Sequence, residues 1–327
     1  MANIFLTGAT GFVGSFVAEA LIKNKHRVTC LVRSTSNLRW LENLPVKINE
    51  GELLNPESYR KAVESADRVI HVAGVTKAAD RQEYYQGNVE ATRLLLETIR
   101  AVNSKLKSFL LVSSQAAVGP STPMQPLDES APFAPLTDYG KSKMEAELLA
   151  REYMAELPLT IVRPPVVYGP RDTDVLIFFK NIQKGLNLQV GKLDQLVSLV
   201  YVEDLARGIM QAALSDYTPG ETYFICDDRP FYWSQVAALS ARIMQKKYWT
   251  VRFPLPLVKG AAWGIEQYSR YRKKPSILNR QKMQEINQEN WVVDPSKAQE
   301  HFGYETRFPL VKGMENTIDW YKKAGWL

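Results

Sequence analysis

Apolar positions along the chain alternate between short continuous runs and longer stretches in which they return every three to four residues, a pattern that predicts strands and helices in turn. Ile4, Phe5 and Leu6 form the first run, and after a glycine turn residues 15–22 carry helical spacing. A second strand is expected over 27–32 and a third over 46–53. Asn55, Pro56 and Glu57 then make a good helix start, since proline suits a first turn. The run over 68–73 is almost unbroken and ends in Gly74, as in strands covered on both faces. A helix over 83–102, a fifth strand over 109–112, a helix over 138–156 and a sixth strand over 159–163 continue the rhythm. Residues 116–137 hold five prolines and predict an irregular loop.

This alternation predicts an α/β fold with a doubly wound parallel sheet, whose ligands sit at the carboxyl ends of the strands. Gly8, Arg33, Glu52, Ala73 and Ser114 fall at such ends and are expected to line one crevice. Beyond Pro164 and Pro165 the rhythm weakens. Residues 1–165 are therefore read as a dinucleotide-binding portion and 166–327 mainly as a smaller substrate-binding portion, which takes in 221–226 and 233–244. Residues 197–215 are expected to return to the main sheet.

Composition adds limits. A chain of 327 residues with 45% apolar and 23% charged residues is globular and long enough for a large core. It has no apolar run of membrane-spanning length, and its first strand begins almost at once, so a cytoplasmic protein without a signal peptide is expected. Cys30 and Cys226 do not suggest a disulfide framework, and His26, His71 and His301 lack metal-ligand spacing, so no metal is expected. The net charge of +6 is local: Arg270, Arg272, Lys273, Lys274, Arg280 and Lys282 stand together without an acid, and the rest of the chain balances. Nucleic acid is not an expected partner. The apolar residues 253–258 and Ala261, Ala262 and Trp263 precede this basic run. Contact with an anionic membrane through 253–282 is therefore an expectation, beside the plainer one of a core helix with a solvated flank.

Two constellations carry chemistry. Thr7, Gly8, Ala9, Thr10, Gly11, Phe12, Val13 and Gly14 stand between a strand and a helix, with a second strand at βαβ distance. A helix N-terminus offers unpaired N–H groups and partial positive charge, glycines allow close approach, and the expected ligand is a dinucleotide pyrophosphate. Tyr139 and Lys143 are four positions apart at a helix start, hence on one face. An ammonium beside a phenol favours its ionised form, so Tyr139 is expected to have a lowered pKa and to exchange a proton with a substrate oxygen while a nicotinamide handles hydride.

Together with Ser113 and Ser114 at a strand end and the string Arg163, Pro164, Pro165, Val166, Val167, Tyr168, Gly169 and Pro170, these features resemble the extended short-chain dehydrogenase/reductase superfamily, in its epimerase/dehydratase and 3β-hydroxysteroid dehydrogenase/dihydroflavonol reductase groups. The resemblance spans essentially the whole chain and implies a Rossmann fold. It implies Tyr139 as acid/base, Lys143 as its partner and a ligand of the nicotinamide ribose, and Ser114 as the hydroxyl on the reacting oxygen. Ser113 and Gln115 remain alternatives for that last role. The cofactor is expected against Thr7, Gly8, Thr10, Gly11, Phe12, Val13, Gly14, Arg33, Glu52, Leu53, Ala73, Gly74, Asn88, Tyr139, Lys143, Pro164, Val166 and Val167. Arg33 stands where NAD-preferring relatives carry an acid, which favours NADP(H), with Arg39 as a second contact.

Nucleotide-sugar enzymes of this superfamily usually carry Asn where this chain has Val166, and an Arg-Asp pair where it has Val197 and Ser198. The expected activity is therefore NADP(H)-dependent interconversion of a secondary alcohol and a ketone on an apolar, steroid-, lipid- or polyketide-like substrate. A nucleotide-sugar epimerase or dehydratase, and a non-catalytic dinucleotide sensor, are the alternatives. A homodimer is a further partner expectation.

Overall fold

The computed structural model describes residues 1–122, 125–191, 194–272 and 280–327. Lys273 and Lys274 of the basic run lie outside the described residues, as do the side chains of Arg270, Arg272 and Arg280.

The first half alternates as the pattern predicts: β1 (Asn3–Thr7), α1 (Phe12–Lys23), β2 (Arg27–Val32), β3 (Lys47–Glu50), α2 (Arg60–Glu64), β4 (Arg68–His71), α3 (Arg81–Tyr84), α4 (Ala91–Val102), β5 (Ser108–Val112), α5 (Asp138–Glu152) and β6 (Leu159–Arg163). There follow β7 (Val166–Tyr168), α6 (Val175–Gln183), β8 (Leu186–Val190), β9 (Leu196–Val197), β10 (Leu199–Tyr201), α7 (Val202–Leu214) and β11 (Thr222–Phe224). The main sheet is seven-stranded, in the order β11-β6-β5-β4-β1-β2-β3, with every pair parallel. Strand order reverses between β1 and β4, and that switch point is where a doubly wound sheet opens a crevice for a ligand.

Side-chain alternation builds a core on each face of this sheet. Ile4 and Leu6 of β1 and Leu110 of β5 pack with Val17 and Leu21 of α1 and with Leu205 and Ile209 of α7. Phe5, Phe109 and Leu111 point the other way, onto Leu95, Leu96 and Ile99 of α4. A separate core, including Phe179, Val197, Tyr201, Val236, Met314 and Tyr321, holds the second half together.

Four expectations change. Residues 199–201 do not rejoin the main sheet but pair in parallel with β7 as a two-stranded sheet, while α7 behind them does pack on the main sheet. The strand that rejoins is β11, through Thr222↔Ile161 and Phe224↔Arg163, although its residues read as part of the smaller portion. The helix expected over 83–102 starts earlier and contains a wider π turn, Tyr85–Glu90, which turns Asn88 and Val89 into the protein. The third strand is short, since its chain leaves the sheet at Gly51, against the Ser58 hydroxyl.

Candidate active site

The glycine turn is forced by contact. Gly8 has φ +77°, and a Cβ there would lie 2.6 Å from the Ala73 nitrogen; a Cβ on Gly14 would lie 2.1 Å from the Gly8 carbonyl oxygen. Thus β1, the loop after β4 and α1 meet without room for a side chain. Gly11 is the N-cap of α1, with no side-chain cap and no acid in the first turn. Its leading N–H groups and the positive end of its dipole are offered outward, which fits a pyrophosphate. Thr10, Phe12 and Val13 flank this end, partly exposed.

Arg33 is exposed just past the end of β2, in a turn where Ser36 N–H donates to its carbonyl at 2.9 Å. Glu52, exposed, and Leu53, half-buried, follow the neighbouring β3. Arg39 is not free to join them in the same way: its guanidinium stacks 4.2 Å from the Trp40 ring.

Across the switch point a buried chain of hydrogen bonds joins the strand ends. Thr7 and His71 are register partners, and Thr7 Oγ1 lies 2.7 Å from His71 Nδ1. His71 Nε2 lies 3.1 Å from Thr92 Oγ1, whose hydroxyl donates to the Asn88 carbonyl at 2.6 Å. Because Thr92 donates its proton elsewhere, it accepts from Nε2–H. Nδ1 is then the acceptor, so Thr7 donates to it while accepting the Ala73 N–H at 3.2 Å. This chain fixes the tautomer and the path of the loop through Ala73 and Gly74. Asn88 is 2% exposed and its amide is used within the protein: Oδ1 accepts from Val75 N–H at 2.7 Å, and Nδ2 donates to the Val75 carbonyl and to Ser142 Oγ. It therefore shapes the crevice wall through the backbone and α5.

Thr137 caps α5, accepting from Gly140 N–H at 3.1 Å. A Cβ on Gly140 would come 2.4 Å from the Ala116 carbonyl oxygen, so the first turn of α5 rests directly on the tight turn Gln115–Ala117. Ser114 caps that turn, accepting from Ala116 N–H at 3.1 Å, and its hydroxyl works against the rise of the Tyr139 pKa. Of the three side chains considered for the reacting oxygen, only Ser114 is partly exposed and acts on the Tyr139 pKa. Ser113 and Gln115 are buried, and the Ser113 hydroxyl has no partner among the described residues. Gln115 N–H donates to the Pro164 carbonyl at 2.9 Å, which draws the start of β7, with Val166 and Val167, alongside.

Lys143 is buried, donates from Nζ to the Val112 carbonyl at 2.8 Å, and lies beside Gly74. Burial lowers it to about 8, against the opposing pull of the Glu147 carboxylate. Tyr139 moves opposite to the expected direction. Burial pushes its phenol up to about 12, the Ser114 hydroxyl works against this, and the charges of Glu285 and Tyr84 add to it. Desolvation outweighs any help from the ammonium, so Tyr139 holds its proton firmly at neutral pH.

Sequence reasoning missed two supports. Glu147, one turn beyond Lys143, forms a buried bidentate pair with Arg163: Nε donates to Oε1 at 3.0 Å and Nη2 to Oε2 at 2.7 Å. The His71 chain was also missed, although Thr7 and His71 both close adjacent strands, and that was the available signal.

The chain matches the NAD dependent epimerase/dehydratase family over residues 4–226. It is 29% identical to the ceramide reductase of Caulobacter vibrioides, across 99% of this chain and 96% of the relative. It is 24% identical to the decarboxylating sterol-4-alpha-carboxylate 3-dehydrogenase of Dictyostelium discoideum, across 96% of this chain and 99% of the relative. Its fold is that of the UDP-glucose 4-epimerase of Thermotoga maritima solved with UDP-glucose, with TM-score 0.80, 22% identity and coverage of 98% and 99% of the two chains. With its glycine turn, its parallel sheet and this match over most of its length, the chain belongs to the NAD dependent epimerase/dehydratase family and is an NAD(P)-dependent enzyme of the extended short-chain dehydrogenase/reductase type.

Proposed function

We propose that this enzyme is an NADP(H)-dependent reductase interconverting a ketone and a secondary alcohol on an apolar, steroid-, lipid- or polyketide-like substrate. The observation that carries the reading is the chemistry at three positions. Val166 and Val197 are apolar, and Ser198 is buried with its hydroxyl accepting from Val293 N–H at 3.1 Å. None of them offers a charged donor to a diphosphate, and a diphosphate bound without such donors loses its strongest hydrogen bonds. The ceramide reductase, alike over nearly its whole length, supports the same substrate class.

In this reading the N-terminus of α1 holds the pyrophosphate, and the portion after residue 166 mainly holds the substrate. A nicotinamide, when bound, supplies or accepts the hydride. Tyr139 gives its proton to the substrate oxygen in reduction, for which a phenol at about 12 is loaded at neutral pH. Ser114, partly exposed at the end of β5, orients that oxygen. Lys143, whose Nζ lies near Gly74, would hold the cofactor ribose.

The test is reduced-nicotinamide absorbance with NADPH or NADP⁺ against apolar ketones and alcohols and against UDP- and dTDP-sugars. Net oxidation of NADPH by an apolar ketone is expected. Conversion of a sugar nucleotide with no net change in NADPH would replace this reading with that of an epimerase.

Cofactor choice is tested at Arg33, whose exposed guanidinium can meet a 2′-phosphate that an acid would repel. Arg33→Ala is expected to weaken NADP(H) binding about ten- to a hundredfold, as for one charge-assisted hydrogen bond, and to leave NAD(H) nearly unchanged. Titration of both dinucleotides reads the difference. Equal losses for the two would remove Arg33 from cofactor selection.

A further inference from the structure

The ribbon made by β8 and the strand Trp249–Phe253 leaves much of an apolar face uncovered. The pairing is parallel and in register, Trp249↔Leu186, Val251↔Leu188 and Phe253↔Val190, so these six apolar side chains share one face. The intervening residues share the other, where Asn187 Nδ2 lies 3.4 Å from Thr250 Oγ1 and Arg252 Nε donates to Gln189 Oε1 at 3.1 Å. Of the polar face only Asn187 is buried, at 5% exposure, while Thr250 and Arg252 are exposed; on the apolar face Leu186 and Val190 are half-buried, but Leu188, Val251 and Phe253 are exposed and Trp249 is 81% exposed. The helix Leu255–Arg272 follows directly and adds Leu257 at 69% and Trp263 at 56%. Arg242, Lys246 and Lys247 line a hollow with Trp249, and Lys184 and Lys259, next to the ribbon in the chain, are exposed as well. Residues 242–265 contain no acid at all.

We propose that this face docks on the surface of an anionic lipid bilayer. Exposed tryptophan and phenylalanine beside lysine and arginine suit the headgroup layer, where rings enter the interface and cations meet phosphate. A second copy of the chain is disfavoured, because a two-fold contact would set these cations against their own copies. Among the described residues no helix is long and apolar enough to cross a membrane, so the contact is peripheral. The helix Arg280–Ile286 that comes after this face reaches the start of α5, where Gln281 Oε1 accepts from Asp138 N–H at 2.8 Å, next to Tyr139. A substrate drawn from the bilayer would thus be delivered beside the reacting end of the site. The delivery rests on the proposed function; the docking surface does not.

The test is co-sedimentation of the full chain with phosphatidylcholine vesicles, with and without phosphatidylglycerol. The bound fraction is expected to rise at least about tenfold with the anionic lipid and to fall again in high salt. It should be lost in Trp249→Glu/Phe253→Glu and in Lys246→Glu/Lys247→Glu, all at exposed positions, with turnover of a water-soluble ketone unchanged. Absence of binding, or equal binding by wild type and both variants, overturns the proposal. So does a dimer seen by sedimentation velocity that either variant abolishes, which would assign the face to a second copy. Vesicle binding without turnover of any ketone would instead retire the reductase reading and leave the surface standing.

Discussion

Tyr139→Phe is expected to lower turnover by about 10²–10⁴-fold while dinucleotide affinity stays within a small factor, as for loss of a single positioned acid. The substitution removes only the hydroxyl. The ring keeps its place 6.1 Å from that of Tyr84, and Ser142 still donates to the Tyr139 carbonyl at 2.8 Å, so the first turn of α5 is preserved. Stopped-time assays of NADPH oxidation and a binding titration separate the two effects. Full activity in the variant would remove Tyr139 as the acid. The pH profile carries the same logic with a worked sign. Tyr139 near 12 is still protonated where Lys143, lowered to about 8, begins to lose its charge. Reduction should therefore decline as pH rises through about 8, from the lysine, well before the phenol runs out of protons.

Glu147→Ala is expected to cost about 3–5 kcal/mol of stability, the range for one partner removed from a buried ion pair. The two side chains are 0% and 2% exposed, so water does not screen the pair. Without the carboxylate, the Arg163 guanidinium stays between the rings of Phe133 and Phe224, 5.2 and 5.8 Å away, with a long contact to the Glu129 carbonyl at 3.4 Å. Urea unfolding should show a lower midpoint at an unchanged slope. Glu147→Leu/Arg163→Met should cost less than Glu147→Ala alone, because the buried guanidinium is then no longer left without its carboxylate. A double variant as damaged as the sum of its single changes would show that the two residues act independently. Since α5 also carries Tyr139 and Lys143, the pair ties the helix of these two candidate residues to β6.

The sheet was legible because its strands are short apolar runs closed by glycine or polar residues. The bounds of β2 and β6 could be read directly from the chain. The placement of β11 could not, since three residues in an irregular region carry no mark of the strand they pair with. The π turn escaped because one wide turn hardly disturbs a helical repeat when apolar residues continue on both sides. That Tyr139 and Lys143 stand one turn apart on a helix, and that glycines close the turn before α1, was readable from local spacing. The choice of Ser114 over Ser113 needed burial, and the direction of the Tyr139 shift needed the balance of desolvation against charge. Glu147 and Arg163 are sixteen positions apart on different elements, and no local pattern joins them.

The bond chain through His71 has a thermodynamic side. Burial holds the imidazole down to about 3, against 6.5 for a free ring, with the Lys143 charge pressing the same way. As pH falls below about 6.5, the unfolded chain takes up this proton first, so the folded state loses stability progressively until about pH 3. A ring protonated in place would donate from both nitrogens, and the Thr7 hydroxyl proton would lose its acceptor. The strand ends that bracket the dinucleotide crevice are thereby an acid-labile margin of the sheet.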